Sequence, residues 1–147
     1  MTLGRHVKDM KKAIVYASTT GNTEAMANAV KDGAMSSGAE VYFAEAGSAD
    51  ETEVTSSDII ILGSPAMGDE VLEDSMQDFF SKIESQIKDK KIAIFGSYDW
   101  GDGQWLRDWA DRITSTGAQV INGEGLKINL TPDEAGLEEC RKLGAIQ

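Results

Sequence analysis

The sequence predicts an α/β fold: a doubly wound, five-stranded parallel sheet with helices on both faces. Two features carry this expectation. Four short apolar runs are continuous rather than alternating, which suits strands buried on both faces. Amphipathic helical segments fill the intervals between them, so strand and helix alternate along the 147 residues.

The first run is Ala13-Ile14-Val15-Tyr16-Ala17, and a helical segment follows from Thr23 to Met35, with Met26, Ala27, Val30 and Ala34 on one face. The second run is Val41-Tyr42-Phe43-Ala44. Only a short helix, around Glu51 to Val54, is expected after it. The third run, Ile59-Ile60-Ile61-Leu62, precedes a helix over Ser75–Ile87 that carries Met76, Phe79, Phe80, Ile83 and Ile87 at three-and-four spacing. The fourth, Ile92-Ala93-Ile94-Phe95, precedes a helix marked by Trp105, Leu106, Trp109 and Ile113. A weaker fifth strand falls at Val120-Ile121 or at Leu126-Lys127-Ile128. The last helix opens at Thr131-Pro132-Asp133-Glu134, where Thr131 is the expected N-cap, Pro132 the first helical residue and Glu134 the return arm of a capping box. Leu137 and Cys140 then share its inner face.

A chain of this length suits one domain and buries a sufficient core without disulfides or metal. The formal net charge is −11, from 25 acidic and 14 basic residues. Nucleic acid and anionic membrane surfaces both need a basic face, so neither is expected as a partner. The acidity fits a basic protein partner, or solubility alone. Cys140 is the single cysteine, which rules out an internal disulfide or a CxxC site and fits a reducing, cytoplasmic setting. No apolar run approaches the roughly 18 residues of a membrane span. Residues 1–10 lack an apolar h-region and read as an N-terminal extension, a leader ahead of an original start at Met10, with His6 a solvated residue.

In such sheets ligands bind beyond the carboxyl ends of the strands, where strand order reverses. The loops after strands one, three and four are therefore the candidates. The first is Ser18-Thr19-Thr20-Gly21-Asn22-Thr23, rich in hydroxyls and lacking Lys or Arg. Backbone N–H groups opening a helix bind anions, and hydroxyls add donors. GxxxxGK[ST] and GxGxxG are both absent. These residues fit either a phosphate-binding turn or an ordinary cap by Thr23 or Asn22. The second is Ser64-Pro65-Ala66-Met67-Gly68-Asp69-Glu70, where small residues admit a flat ligand and Met67 faces either ligand or core. The third is Gly96-Ser97-Tyr98-Asp99-Trp100-Gly101-Asp102-Gly103, where Trp100 either folds back or covers a ligand by stacking.

Taken in order, Ser18-Thr19-Thr20-Gly21-Asn22-Thr23-Glu24, Ala66-Met67-Gly68-Asp69-Glu70 and Ser97-Tyr98-Asp99-Trp100-Gly101-Asp102-Gly103 resemble the three cofactor loops of short-chain, clostridial-type flavodoxins. The likeness runs along nearly the whole chain from Met10. It implies a flavodoxin-like sheet over residues 11–147 that binds FMN non-covalently. It implies a low-potential one-electron carrier, shuttling between semiquinone and hydroquinone, that is no enzyme and works as a monomer with redox partner proteins presenting basic docking surfaces. Residue by residue, Ser18, Thr19, Thr20, Gly21, Asn22 and Thr23 would hold the phosphate. Pro65, Ala66, Met67, Gly68, Asp69 and Glu70 would form one flavin loop, with Met67 on one ring face, the Gly68 carbonyl at N5 and Glu70 at N3. Ser97, Tyr98, Asp99, Trp100, Gly101 and Asp102 would form the other, with Trp100 on the second face.

The sequence departs from that pattern at Thr19 and Asp99, where relatives often carry Gly, and at Pro65, which removes an N–H. Other readings remain. An FMN-dependent NAD(P)H or quinone reductase on the same fold needs an open flavin face, yet Met67 and Trp100 would cover both. A phospho-receiver needs an Asp ending strand three, where this chain has Leu62-Gly63-Ser64. A cofactor-free interaction module would leave the three loops as ordinary turns.

Overall fold

The computed structural model describes residues 10–147. The extension expected over residues 1–10, His6 included, lies outside the described residues apart from Met10.

Strands β1 (Lys11–Tyr16), β2 (Glu40–Glu45), β3 (Ile59–Gly63), β4 (Lys91–Tyr98), β5 (Gln119–Val120) and β6 (Leu126–Asn129) alternate with helices α1 (Asn22–Ser36), α2 (Glu51–Thr55), α3 (Asp74–Ile83), α4 (Gln104–Ser115) and α5 (Glu134–Gly144), with β5 and β6 following one another directly. Every pairing is parallel, and the order is β2-β1-β3-β4-β5, with β6 also on β4. Strand order therefore reverses between β1 and β3.

The sequence left two positions open for the fifth strand, and both are used, so the sheet has a sixth strand. β5 pairs with the start of β4, at Lys91 and Ile92, and β6 with its end, from Phe95 to Tyr98. Asn122 spans the interruption: its Nδ2 donates to Ile94 O at 2.8 Å and its Oδ1 accepts from Ile94 N at 3.1 Å. One side-chain amide thus supplies the donor and acceptor that a continuous strand would have offered.

Side-chain alternation divides the strands between two cores. Ala13, Val15, Ile60, Leu62, Ile92 and Ile94 meet α3 and α4 on one face, with Phe80, Trp105 and Trp109. Ile14, Tyr16, Ile59, Ile61, Ala93 and Phe95 meet α1 and α5 on the other, with Met26, Val30 and Cys140. Helices α1 and α5 touch backbone to backbone. A Cβ on Gly33 would stand 1.9 Å from Arg141 O, and one on Gly144 would stand 1.9 Å from Val30 O. Beneath them Lys12 is fully buried, and its Nζ donates to Gly144 O at 2.8 Å. That ammonium satisfies a carbonyl at the α5 C-terminus, where the helix dipole favours a cation, although burial lowers its pKa.

Three helix ends differ from the sequence expectation. Helix α5 is capped by Asp133, whose Oδ1 accepts from Gly136 N at 2.8 Å, not by Thr131. Pro132 therefore lies before the helix, and Glu134 pairs with Arg141 instead of turning back. Helix α1 has Gly21 as its N-cap, at φ 96°, and neither Thr23 nor Asn22 caps it. Helix α3 stops at Ile83, and its final turn tightens into a 3₁₀ segment, Glu84–Gln86, that still delivers Ile87 to the core. Among the described residues no helix is long and apolar enough to cross a membrane.

Candidate functional site

A cleft opens at the carboxyl ends of β1, β3 and β4, at the reversal of strand order, where sheets of this topology bind ligands. It consists of two adjoining depressions that share Thr19, Thr20, Ala66 and Asp99. They hold about 120 and about 260 Å³ and are open to solvent along one side. The deeper one adds Asn22, Pro65, Ser97, Tyr98 and Leu130, and the outer one adds Met67, Gly68 and Trp100.

The first loop leaves β1 and turns into α1 through the left-handed Gly21. Ser18 organises the turn: its Oγ accepts from Gly21 N at 3.1 Å and from Glu24 N at 3.3 Å. Asn22 and Thr23 occupy the first helical turn, whose N–H groups have no intrahelical acceptor. Thr19 and Thr20 are exposed at the cleft. Thr23 instead points inward, with its Oγ1 2.8 Å from Ser97 Oγ, and so fastens the first loop to β4.

The second loop leaves β3 at Ser64, which is fully buried. Ser64 Oγ accepts from Glu73 N at 3.0 Å, and Ser64 O accepts from Trp105 Nε1 at 3.0 Å. Gly96 has to be a glycine here, since a Cβ would stand 1.9 Å from Ser64 O. A tight turn follows. Met67 N donates to Val71 O at 2.9 Å, and Glu70 N to Met67 O at 2.7 Å. Gly68 and Asp69 form its exposed tip, and a Cβ on Gly68 would meet nothing within 4 Å.

The third loop leaves β4 after Tyr98, whose ring lies 5.8 Å from that of Trp105. Trp100 is 62% exposed, a large apolar surface left in water beside the cleft. The base of this loop is clamped. Asp102 O accepts from Lys127 Nζ at 2.6 Å, and Asp102 Oδ1 from Arg107 Nη2 at 2.8 Å. The guanidinium of Arg107 holds the Asp102 carboxyl below its usual pKa. Glu70 Oε1 accepts from Gly103 N at 3.2 Å and so ties the second loop to the third.

Of the residues that the sequence singled out, Thr19, Thr20, Asn22, Pro65, Ala66, Met67, Gly68, Ser97, Tyr98, Asp99 and Trp100 line the cleft. Ser18, Gly21 and Thr23 shape the first loop from behind. Gly101 and Asp102 belong to the clamped base of the third loop, and Asp69 is at the turn tip. Glu70 lines a separate groove with Val71, Trp105 and Arg112. Leu130, after β6, also lines the cleft and was not singled out. The rule that found the other loops, the carboxyl end of a strand, applies to it equally.

Comparison with known proteins agrees with this geometry. The Flavodoxin family model matches residues 14–144. The flavodoxin of Megasphaera elsdenii is 46% identical over 132 residues, covering 89% of this chain and 93% of that protein. The flavodoxin of Clostridium beijerinckii is 43% identical over 132 residues, covering 89% and 94%. Among solved structures, that of two-electron reduced Megasphaera elsdenii flavodoxin matches with a TM-score of 0.80 at 44% identity, covering 91% of this chain and 96% of the other. A flavodoxin from the domain Archaea matches with a TM-score of 0.84 at 30% identity, covering 92% and 94%. The strand order, for which flavodoxins are themselves a standard example, the three loops and these matches agree: the chain belongs to the flavodoxin family of FMN-binding electron carriers.

Proposed function

We propose that residues 11–147 hold FMN non-covalently in this cleft, between Met67 and Trp100, and carry single electrons at low potential. One observation carries the reading: Met67 and the exposed Trp100 line the same depression, which continues into a polar end free of Lys and Arg. At that polar end Thr19, Thr20 and Asn22 bring hydroxyls, an amide and first-turn N–H groups, donors suited to a phosphate. At the outer end a flat ring would gain stacking and burial against Trp100 and Met67. Bound FMN supplies the redox chemistry.

The protein's residues set the conditions. Gly68 permits either orientation of the peptide at the turn tip, so its carbonyl is available as an acceptor for a ring N–H. Asp69 and Asp99, exposed at the two flavin loops, place negative charge near the ring and oppose further negative charge on it. This favours a low potential for the second electron. Asp69, Glu73, Asp74, Asp99 and Asp102 make the surroundings acidic, which supports redox partners with basic docking surfaces. The chain works as a monomer in the cytoplasm. A ring flanked on both faces leaves no room for a hydride-donating substrate, which supports a carrier and not a reductase.

Titrating FMN into the cofactor-free protein tests the reading, because stacking on tryptophan quenches flavin fluorescence. Stoichiometric quenching that is lost in Trp100→Ala is the expected result. Absence of quenching would overturn it. Oxidation of NADH or NADPH by the purified protein alone would overturn the carrier assignment in favour of a reductase.

A further inference from the structure

The loop after β6 closes the cleft on its fourth side. Leu130 lines the deeper depression beside Thr19, Thr20, Asn22 and Asp99. It combines two unfavourable features. It is 49% exposed, although apolar, and its backbone sits at φ 59°, in the left-handed region that residues with a bulky side chain enter only at a cost. A position that only had to turn the chain would favour Gly or Asn.

The strained conformation is held from both flanks. Leu130 N donates to Tyr98 O at 2.8 Å. Asn129 Nδ2 donates to Tyr98 O at 3.1 Å and to Asp99 O at 3.0 Å. Thr131 Oγ1 donates to Asn22 Oδ1 at 3.3 Å. The loop is therefore tied to the third loop on one side and to the first on the other. Strain and exposed apolar surface at one residue, over-determined by its neighbours and facing a ligand cleft, mark a functional position.

We propose that Leu130 is a further FMN-binding residue. It forms an apolar wall over the part of the ligand that lies between the hydroxyl-rich first loop and Asp99, and Asn129 and Thr131 position it there. The inference rests on the FMN-binding reading above. Its consequence is that the Leu130 side chain contributes to the holoprotein and little to the cofactor-free fold, where its backbone N–H, not its side chain, ties it to Tyr98.

Two variants test it, read by FMN fluorescence quenching and by the Tm of the cofactor-free protein. Leu130→Gly removes the wall and relieves the left-handed backbone. Leu130→Asn keeps a side chain that tolerates this backbone but removes its apolar surface. Both are expected to weaken FMN binding roughly five-fold, the value of covering a half-exposed leucine. The Tm of cofactor-free Leu130→Gly is expected to be unchanged or raised. Unaltered affinity in either variant would overturn the apolar wall while leaving FMN binding itself intact. A lowered Tm in cofactor-free Leu130→Gly would overturn it too, by showing that Leu130 is an ordinary packing residue. If the unmodified chain takes up no FMN, both the FMN reading and this one fail.

Discussion

At the scale of single residues, Trp100 bears the largest expected effect on the cofactor and the smallest on the fold. Because 62% of it is exposed, its removal takes little from the cofactor-free protein. Trp100→Ala is expected to weaken FMN binding roughly 10- to 100-fold, in line with the loss of one aromatic stacking partner, with an unchanged urea midpoint for the cofactor-free form. A parallel loss of stability would show that Trp100 packs inward. Cys140 is the opposite case. It is fully buried on the inner face of α5, and burial pushes its thiol up to about 12. It should not react with a thiol-specific chromogenic reagent in the native protein and should react fully once unfolded. Rapid labelling of the native protein would contradict its place in the core. The resemblance of their loops to those of short-chain flavodoxins pointed to Trp100 and Met67. For Leu130 the strand-end rule points to its loop, but no residue pattern announces a leucine at positive φ.

At the scale of elements, the close approach of α1 and α5 dominates. Gly33→Ala would improve intrinsic helix propensity by about 1 kcal/mol. It also places a methyl group 1.9 Å from the Arg141 carbonyl, which is backbone and cannot swing aside. The expected net result is destabilisation by about 1–3 kcal/mol, read as a lower urea midpoint. A stabilised variant would show that the helices separate freely. Asn122 plays the comparable role in the sheet. Asn122→Ala leaves Ile94 N and Ile94 O without partners at the gap between β5 and β6, at a cost of about 1–3 kcal/mol. The same elements show what the sequence could not reveal. Continuous apolar runs identify β1, β3 and β4 because they are buried on both faces. β5 and β6 have only two and four residues, and their interruption depends on one asparagine reaching across to a neighbouring strand. The helix caps depend on tertiary contacts in the same way. Thr131 and Asp133 are both good caps, and only tertiary contact with Asn22 commits Thr131 elsewhere.

At the scale of the whole molecule, exposed carboxylates gather around the cleft. Asp69, Glu73, Asp74 and Asp99 lie beyond the carboxyl ends that hold the cleft, where Asp102 is paired with Arg107, whereas at the amino ends Lys11, Lys88, Lys90 and Lys91 stand among Glu40, Glu53, Asp58 and Asp89. The basic redox partner proposed above would be drawn to this acidic end. Electron exchange with such a protein is therefore expected to slow as ionic strength rises above about 0.1 M, where screening acts over about 10 Å. A rate independent of salt would remove electrostatic steering from the account. Stability should also depend on pH at the alkaline end. Burial, together with the Glu24 and Glu45 carboxylates, raises the Tyr16 phenol from 10.0 to about 12. Its contribution is complete below pH 10 and is lost as pH rises through about 12, so alkaline unfolding should begin earlier in wild type than in Tyr16→Phe.

The fold class and the acidic character were present in the sequence as the alternation of strand and helix and as charge, whereas the order of strands in the sheet is seen only in the structure. What matters most for function is whether this cleft makes bound FMN a one-electron carrier. An anaerobic reductive titration of the FMN-loaded protein, followed by visible absorbance, tests it most directly. A spectrally distinct one-electron state is expected to accumulate before full reduction. Direct passage from oxidised to fully reduced flavin would contradict it and would identify a two-electron flavoprotein.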